Sequence, residues 1–207
     1  MLAKHGNMRI LPLGLLLTTV AFAQKKFPNP KIGKNETEIN LFSSSDQGYS
    51  GTEKILLGCE AIYRVPWGKA TKLGGGILLG ADKYVNWFEE PTNFYGALFA
   101  DITQFIGRRQ LWGIDGRIGH GIYKDKFEID DSLVKGFTKW TGGLYYSVGL
   151  AYRVVVSKKI IVGASVYFAI RNLRRTSVAD YFNPPSQERY KQVEHYSRYG
   201  FRFGIVF

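Results

Sequence analysis

The sequence predicts an all-β fold, an eight-stranded antiparallel transmembrane up-and-down β-barrel. Its composition favours strands, because 24 glycines, 13 tyrosines and 14 phenylalanines stand against two methionines. Eight segments alternate between apolar and polar side chains, and the face that carries most of the glycines also carries the charges. A soluble sandwich would bury a bulky apolar face and expose the polar one. The small and charged face therefore suits a narrow lumen, and the apolar face suits lipid.

The N-terminal segment has the features of a secretory signal peptide, which we assign to residues 1–23. Lys4 and Arg9 accompany an apolar stretch, and Ala21-Phe22-Ala23 supplies the small residues of a cleavage site. The apolar stretch is about half of the roughly 20 residues that a membrane-spanning helix needs, so we expect it to be removed. Met8 would also begin a compact signal peptide, so it competes with the first residue as the start of translation.

The barrel domain is predicted to cover residues 36–207, after a periplasmic lead-in at 24–35 that carries two prolines. The alternating segments predict strands at about 36–44, 52–65, 71–84, 92–106, 110–124, 138–154, 159–173 and a closing strand that ends at Phe207. We expect tight turns at 66–69, 107–109 and 157–158, and longer connections at 46–51, 85–91, 125–137 and 174–193. A barrel whose termini lie on one side of the membrane requires this alternation of tight turns and long loops.

Aromatic residues near strand ends are expected to form girdles at the two membrane surfaces. Trp67 and Trp112 lie at turns or strand ends, and Trp140 is assigned to the outward face of the sixth strand together with Leu144. Cys59 has the outward parity of the second strand, and we interpret it as a small apolar filler. A single cysteine excludes an internal disulfide.

Charged residues of the inward parity are expected to meet inside the barrel. The predicted lumen charge network consists of Glu38, Glu60, Arg64, Asp82, Asp101, Asp115, Arg117, Arg153, Arg171, Arg198 and Arg202, with Lys54 and Lys72 of the same parity. We interpret it as a set of ion pairs that rigidifies the barrel, because unpaired buried charge is costly. A proton path or a catalytic cluster is the alternative. Side chains can fill an eight-stranded barrel, so we do not expect a wide pore.

The closing strand carries the most specific pattern of the chain. Its apolar face consists of Tyr199, Phe201, Phe203, Ile205 and Phe207, and the chain stops there. This pattern resembles the C-terminal assembly signal of bacterial outer-membrane β-barrels, and Ala-Phe-Ala-Gln followed by lysines resembles envelope proteins of the Bacteroidetes. The chain is similar to small OmpA-like or OmpX-like barrels, a Bacteroidetes-type porin-family protein. The resemblance implies an integral protein of the cell outer membrane, with both termini periplasmic, that the barrel assembly machinery inserts.

Three functions are compatible with these patterns. The first is a non-enzymatic structural or interaction role, as a subunit of an envelope complex or through basic extracellular loops that contact lipopolysaccharide or another ligand. The second follows from His195-Tyr196-Ser197, which resembles the His-x-Ser of outer-membrane lipid A deacylases and implies ester hydrolysis by His195 and Ser197. That family has an acidic partner on a later strand, whereas here only Asp180 or Glu188 in the preceding loop is available. The third is a soluble exported β-sandwich that acts as a binding module.

The formal net charge of +11 bears on the class of partner. A basic chain often binds nucleic acid, but export argues against that partner. Outer-membrane lipid headgroups and the phosphates of lipopolysaccharide are the counterparts that export favours. Three scattered histidines and one cysteine lack metal-ligand spacing. We therefore expect no metal, no cofactor and no nucleic acid.

Overall fold

The computed structural model describes residues 34–47, 53–84, 93–107, 111–131, 134–157, 160–182 and 185–207. Within these ranges the chain forms nine β-strands, which are β1 Glu36–Gln47, β2 Glu53–Pro66, β3 Thr71–Tyr84, β4 Asn93–Ile106, β5 Trp112–Asp130, β6 Val134–Thr141, β7 Leu144–Val155, β8 Ile161–Phe182 and β9 Pro185–Val206. The predicted signal peptide, the alternative start at Met8 and most of the lead-in lie outside the described residues. No helix able to cross a membrane occurs in the described ranges.

The strands form one antiparallel ring in which every strand has a neighbour on both sides. β1 pairs with β9 and β2, and the pairing continues through β3 and β4 to β5. β8 pairs with β9 on one side and with both β6 and β7 on the other, and these two short strands pair with β5. The predicted all-β barrel is confirmed. The sandwich alternative is wrong, because the chain forms one closed sheet.

The strand count is nine rather than eight because Gly142 and Gly143 interrupt the sixth predicted strand between β6 and β7. A Cβ on Gly142 would lie 1.8 Å from the carbonyl oxygen of Gly121, so the chain passes β5 at a distance that only glycine permits. The interruption reverses the side-chain parity. Trp140 therefore packs against the interior, and its predicted outward placement is wrong, whereas Leu144 beyond the interruption is 47% exposed.

Two long hairpins extend from the end of the ring opposite to the start of β1 and the end of β9. The predicted loops at 125–137 and 174–193 are mostly strand, so both loop predictions are wrong. These segments carry polar side chains on both faces and lack the apolar alternation from which strands are predicted. Together they form a four-stranded sheet, the distal sheet, which comprises residues 124–130, 134–141, 174–182 and 185–193. Its outer edges, in β5 and β9, have no further strand beside them within the described residues.

At the other end, short turns join the strands and the barrel closes. Gly68 with φ 119° and Gly107 with φ 77° follow β2 and β4, in a backbone region that favours glycine. The Thr37 amide donates to the Phe207 carbonyl oxygen at 3.3 Å, and the Phe207 amide donates to the Thr37 carbonyl oxygen at 2.9 Å. β1 therefore begins and β9 ends on the side of the short turns.

The outer surface of the ring is apolar, unlike the surface of a soluble protein. The apolar face of the closing strand points outward, with exposed fractions of 72% for Tyr199, 70% for Phe201 and 58% for Phe207. Other strands continue this apolar exterior with Ile39, Leu41, Leu57, Leu79, Phe94, Leu98, Ile118, Ile122, Val148 and Val166. Paired rings lie near both of its borders, Trp112 with Tyr152 at 4.6 Å between centroids and Phe168 with Tyr199 at 5.0 Å.

Candidate functional site

The structure places all eleven residues of the predicted lumen charge network inside the barrel, where ten are buried and Glu38 is partly buried. Lys72 is also buried, whereas the side chain of Lys54 lies outside the described part of the chain. Most of these charges form one group near the start of β1 and the end of β9, the proximal cluster. Its members are Glu36, Glu38, Glu60, Arg64, Lys72, Asp101, Asp115, Arg117, Arg153 and Arg202.

Two arginines share one aspartate at the centre of the proximal cluster. Arg64 Nε donates to Asp101 Oδ2 at 2.5 Å, and Arg64 Nη2 donates to Asp101 Oδ1 at 3.1 Å. Arg117 Nε donates to the same Oδ1 at 3.1 Å, and its Nη1 donates to Glu60 at 2.6 Å. Arg64 also pairs with Glu38. Such bidentate and shared contacts fix the orientation of every charge.

Two further cations of the proximal cluster pair with carboxylates of the first strand. Arg153 donates to Glu36 and to Glu38, each at 2.9 Å, and Lys72 Nζ lies 2.5 Å from Glu36. Glu36 is missing from the predicted network because it is the first residue of its strand. Its even number, shared with Glu38, is the signal that identifies its inward parity.

Apolar and aromatic side chains fill the lumen beyond the proximal cluster. They are Phe42, Leu56, Ile62, Leu78, Tyr95, Ala97, Phe99, Tyr123, Tyr145, Tyr167, Ala169 and Leu173. Arg202 joins the two layers, because it donates to Asp115 at 2.8 Å while its guanidinium lies 3.8 Å from the Tyr167 ring centroid. The cavity among the proximal charges has a volume of about 20 Å³, which holds about one water molecule. Side chains therefore plug the barrel.

A second charged group lies on the far side of the aromatic layer. Arg171 Nη2 donates to Asp82 Oδ2 at 2.8 Å, and Arg198 Nη1 lies 2.8 Å from Asp82 Oδ1. The Arg171 guanidinium also lies 4.5 Å from the Tyr95 ring centroid and 5.4 Å from that of Tyr123. Because the Asp82 carboxylate is shared by two buried arginines, the faces of these aromatic rings add to the stabilisation of the positive charge.

A third polar group, at the base of the distal sheet, is absent from the sequence prediction. Glu194 accepts hydrogen bonds from Tyr196 Oη at 2.6 Å, Trp140 Nε1 at 3.0 Å and Arg175 Nη1 at 3.1 Å. Burial alone would raise the pKa of Glu194, but these three hydrogen bonds outweigh it and hold the pKa below its ordinary value. The sequence places Trp140 outside and Arg175 in a loop, so it gives no sign that the group exists.

Glu194→Gln is expected to reduce the protection of β6 and β9 against hydrogen exchange at neutral pH. A depressed folded-state pKa means that the carboxylate stabilises the distal sheet above the ordinary pKa of 4.5, and that this contribution is lost as pH falls through the folded pKa. After correction of the exchange rates for their intrinsic pH dependence, the protection of these strands in the wild type should approach that in the variant under acid conditions. The control is Glu188→Gln, which alters an exposed residue of the same strand. Equal protection of the Glu194 variant and wild type at neutral pH would contradict the role.

His195 and Ser197 are both exposed on the outer face of β9. His195 Nδ1 lies 2.8 Å from Asn172 Oδ1 on β8. Asp180 and Glu188 lie near the tip of the hairpin, and Asp180 is eight residues along β8 from Asn172. Eight residues of extended strand span about 26 Å, so neither carboxylate serves this histidine. The group beside the imidazole is an amide.

The other chemically reactive side chains are dispersed. Cys59 is a free, exposed thiol on the predicted outward face of β2. The described part of the chain contains no group of three or more side chains that could hold a metal ion. The charge clusters of the lumen are therefore the main concentration of polar chemistry in the described structure.

Known proteins resemble this chain in structure rather than in sequence. No protein-family model matches it, and no curated protein is significantly similar to it. Ail, the attachment invasion locus protein of Yersinia pestis, is 14% identical, with 84% of this chain and 99% of Ail covered and a TM-score of 0.46. The outer membrane protein OprG from Pseudomonas aeruginosa is 9% identical, with 84% and 95% covered and a TM-score of 0.48. The translocator domain of autotransporter NalP from Neisseria meningitidis is 13% identical, with 95% and 94% covered and a TM-score of 0.36. These values support no inference about activity.

Proposed function

We propose that this chain is an integral β-barrel of the bacterial outer membrane with a structural or interaction role and no enzymatic activity. The observation that carries the proposal is an apolar exterior around a lumen of paired arginines and carboxylates. The closed ring supplies each spanning strand with backbone partners, as the hydrocarbon region demands. The nine residues from Tyr199 to Phe207 lie within the range of about 9–11 that a tilted transmembrane strand needs.

The lumen charges, in this proposal, rigidify the barrel and block passage through it. The experiment combines electrophoresis with and without boiling and conductance recording in planar bilayers. The folded protein in detergent should change its migration only after boiling, and it should add no steady conductance. Extraction of the mature protein without detergent, with no shift on boiling, would contradict the membrane barrel. Stable conductance steps would contradict the plugged lumen.

The distal sheet is the part of the molecule that a partner can reach. We place it outside the cell and both termini in the periplasm, because short turns belong on the periplasmic side of outer-membrane barrels. Exposed polar side chains, and two edges beside which no described strand lies, favour an interaction role, for example in an envelope complex. Co-purification in mild detergent tests this role, and a distal-sheet deletion that retains every partner would contradict it.

Phe207→Ser is expected to lower the amount of barrel assembled in cells while leaving the stability of refolded protein nearly unchanged. We propose that the closing strand is an assembly signal in a Bacteroidetes-type envelope, whereas in the folded barrel the Phe207 side chain is 58% exposed and only its backbone bonds Thr37. The heat-modifiable band in isolated membranes measures assembly, and the denaturant midpoint measures stability. Phe94→Ser, at a side chain that is 77% exposed on β4, is the matched control. Equal assembly of the two variants would contradict the signal.

A second candidate function is hydrolysis of acyl esters of lipid A by Ser197 and His195. The observation that favours it is the 2.8 Å contact between His195 Nδ1 and Asn172 Oδ1, because an amide oxygen can orient an imidazole that acts as a base. Mass spectrometry of lipid A, incubated with wild-type protein or with Ser197→Ala, tests it. Acyl release that disappears in the variant would establish the enzyme, and identical lipid profiles would exclude it.

A further inference from the structure

The outer face of the distal sheet carries two neighbouring rows of side chains without a carboxylate. This face is continuous with the apolar exterior, because outward residues keep the same parity along β5, β8 and β9. The register aligns Lys124, Thr141, Arg174 and Val193 in the first row and Lys126, Lys139, Thr176 and Lys191 in the second. The five cations, here called the basic rows, are Lys124, Lys126, Lys139, Arg174 and Lys191. Glu128 brings the first carboxylate only in the third row.

Like charges stand side by side within the basic rows. Lys126 and Lys139 are direct cross-strand partners, an arrangement that destabilises a sheet unless a counter-charge is present. Lys126 has one, because it pairs with Glu128, but both side chains are more than half exposed. The other four cations form no ion pair with a carboxylate of the described residues. The face therefore carries an excess of positive charge that the carboxylates of the described residues compensate only at Lys126.

The basic rows lie directly beyond the apolar exterior. On β5 the outward Ile122, which is 60% exposed, is followed two residues later by Lys124. On β8 the outward Ile170 is followed by Asn172 and then by Arg174. Two residues of strand advance by about 7 Å, which is close to the thickness of the headgroup region on each side of a bilayer. Lys124 of the first row consequently lies at the level of the headgroup layer of the leaflet, and the second row lies about 7 Å farther out along the strands.

We propose that the basic rows bind the phosphate groups of a membrane glycolipid headgroup. The inference rests on the proposed outer-membrane placement with the distal sheet outside the cell. Four strands at about 4.8 Å spacing spread the cations over about 14 Å, a width that fits a headgroup with two separated phosphates better than a single small anion. Lysine and arginine supply the point charges and forked donors that phosphate oxygens accept.

The test compares two double variants of the full chain, folded in detergent and checked by the heat-modifiable band. Lys139→Gln with Lys191→Gln removes two charges from the second row. The control, Lys135→Gln with Arg189→Gln, also removes two positive charges from β6 and β9, but nearer to the tip of the distal sheet. Each protein is titrated with a diphosphoryl glucosamine-disaccharide lipid and with its monophosphoryl form, and complexes are counted by native mass spectrometry.

Wild type should bind the diphosphoryl lipid more tightly than the monophosphoryl form. The second-row variant should lose about 30-fold in affinity, and the tip variant should lose less than about 3-fold. Equal affinity for the two lipids, or equal losses in the two variants, would overturn the inference while leaving the membrane barrel intact. Displacement of the lipid by equimolar inorganic phosphate would reveal a free-anion site instead. If the wild-type protein shows no heat-modifiable band, both the barrel and the inference are refuted.

Discussion

Asp101→Ala is expected to destabilise the barrel by about 3–5 kcal/mol, because it removes the carboxylate that the buried Arg64 and Arg117 share and breaks an ion pair of each. Asp101 is 3% exposed and accepts hydrogen bonds from Arg64 at 2.5 and 3.1 Å and from Arg117 at 3.1 Å. Thr103 Oγ1 donates to it as well, at 3.1 Å. Denaturant unfolding in detergent, followed by tryptophan fluorescence, measures the loss.

The control is the exposed pair of Asp130 and Lys135 at the tip of the β5–β6 hairpin. Their charges are 3.3 Å apart, with side-chain exposures of 75% and 61%. Asp130→Ala is expected to cost at most about 1 kcal/mol, because solvent screens such a pair. Similar losses in the two variants would mean that the lumen pairs contribute no more than surface pairs, and the rigidifying role of the network would be refuted.

Gly204→Ala is expected to prevent the barrel from closing. Gly204 lies on β9 opposite Asn40 of β1, and a Cβ there would be 1.7 Å from Asn40 Oδ1 and 2.5 Å from the Ile39 carbonyl oxygen. The amide end of Asn40 can turn away, but the Ile39 carbonyl belongs to the strand that closes the ring. Overpacking of this kind costs about 3 kcal/mol or more when backbone has to move. The measurement is the fraction of protein with a heat-modifiable band after refolding.

Gly163→Ala is the matched control for the closing strand. Gly163 lies on β8 directly opposite Gly204, so the two glycines occupy one rung of the ladder. A Cβ on Gly163 would meet its nearest atoms at ordinary distances of 3.8 Å and 3.9 Å, in Arg153 and Tyr152. We expect a change in the free energy of unfolding within about 1 kcal/mol, because alanine meets no clash here and suits a strand better than glycine. Equal failure of both variants to refold would show that packing at the β1–β9 seam is not the cause.

Strand periodicity accounts for the part of the structure that the sequence predicts. Inward and outward residues alternate in any strand, so Arg64 and Asp101 can be assigned to the lumen without knowledge of their partners. The partners depend on register and on barrel closure, which a single sequence does not contain. Arg153 therefore pairs with Glu36, 117 residues away, a contact that no local pattern indicates.

The errors of the sequence prediction have two physical sources. Gly142 and Gly143 allow a local change of parity, so Trp140 points inward although it continues an alternation that looks unbroken. The distal sheet has polar residues on both faces and few apolar side chains, so it lacks the signal from which strands are predicted. Both sources of error apply to the Glu194 group. Its partner Trp140 lies in the interrupted strand, and its partner Arg175 lies in a segment that the sequence predicts to be a loop.

The ion pairs of the lumen have a consequence for the time course of folding. The pairs of Arg153 and Arg202 connect strands that are far apart along the chain, as Arg202 and Asp115 are separated by 87 residues and Arg153 and Glu36 by 117. Such contacts form only when the last strands are in place, so ring closure and charge neutralisation occur in one late step. Contacts that are absent from the folding transition state slow unfolding rather than speed folding. The plug therefore lengthens the lifetime of the finished barrel more than it hastens its formation.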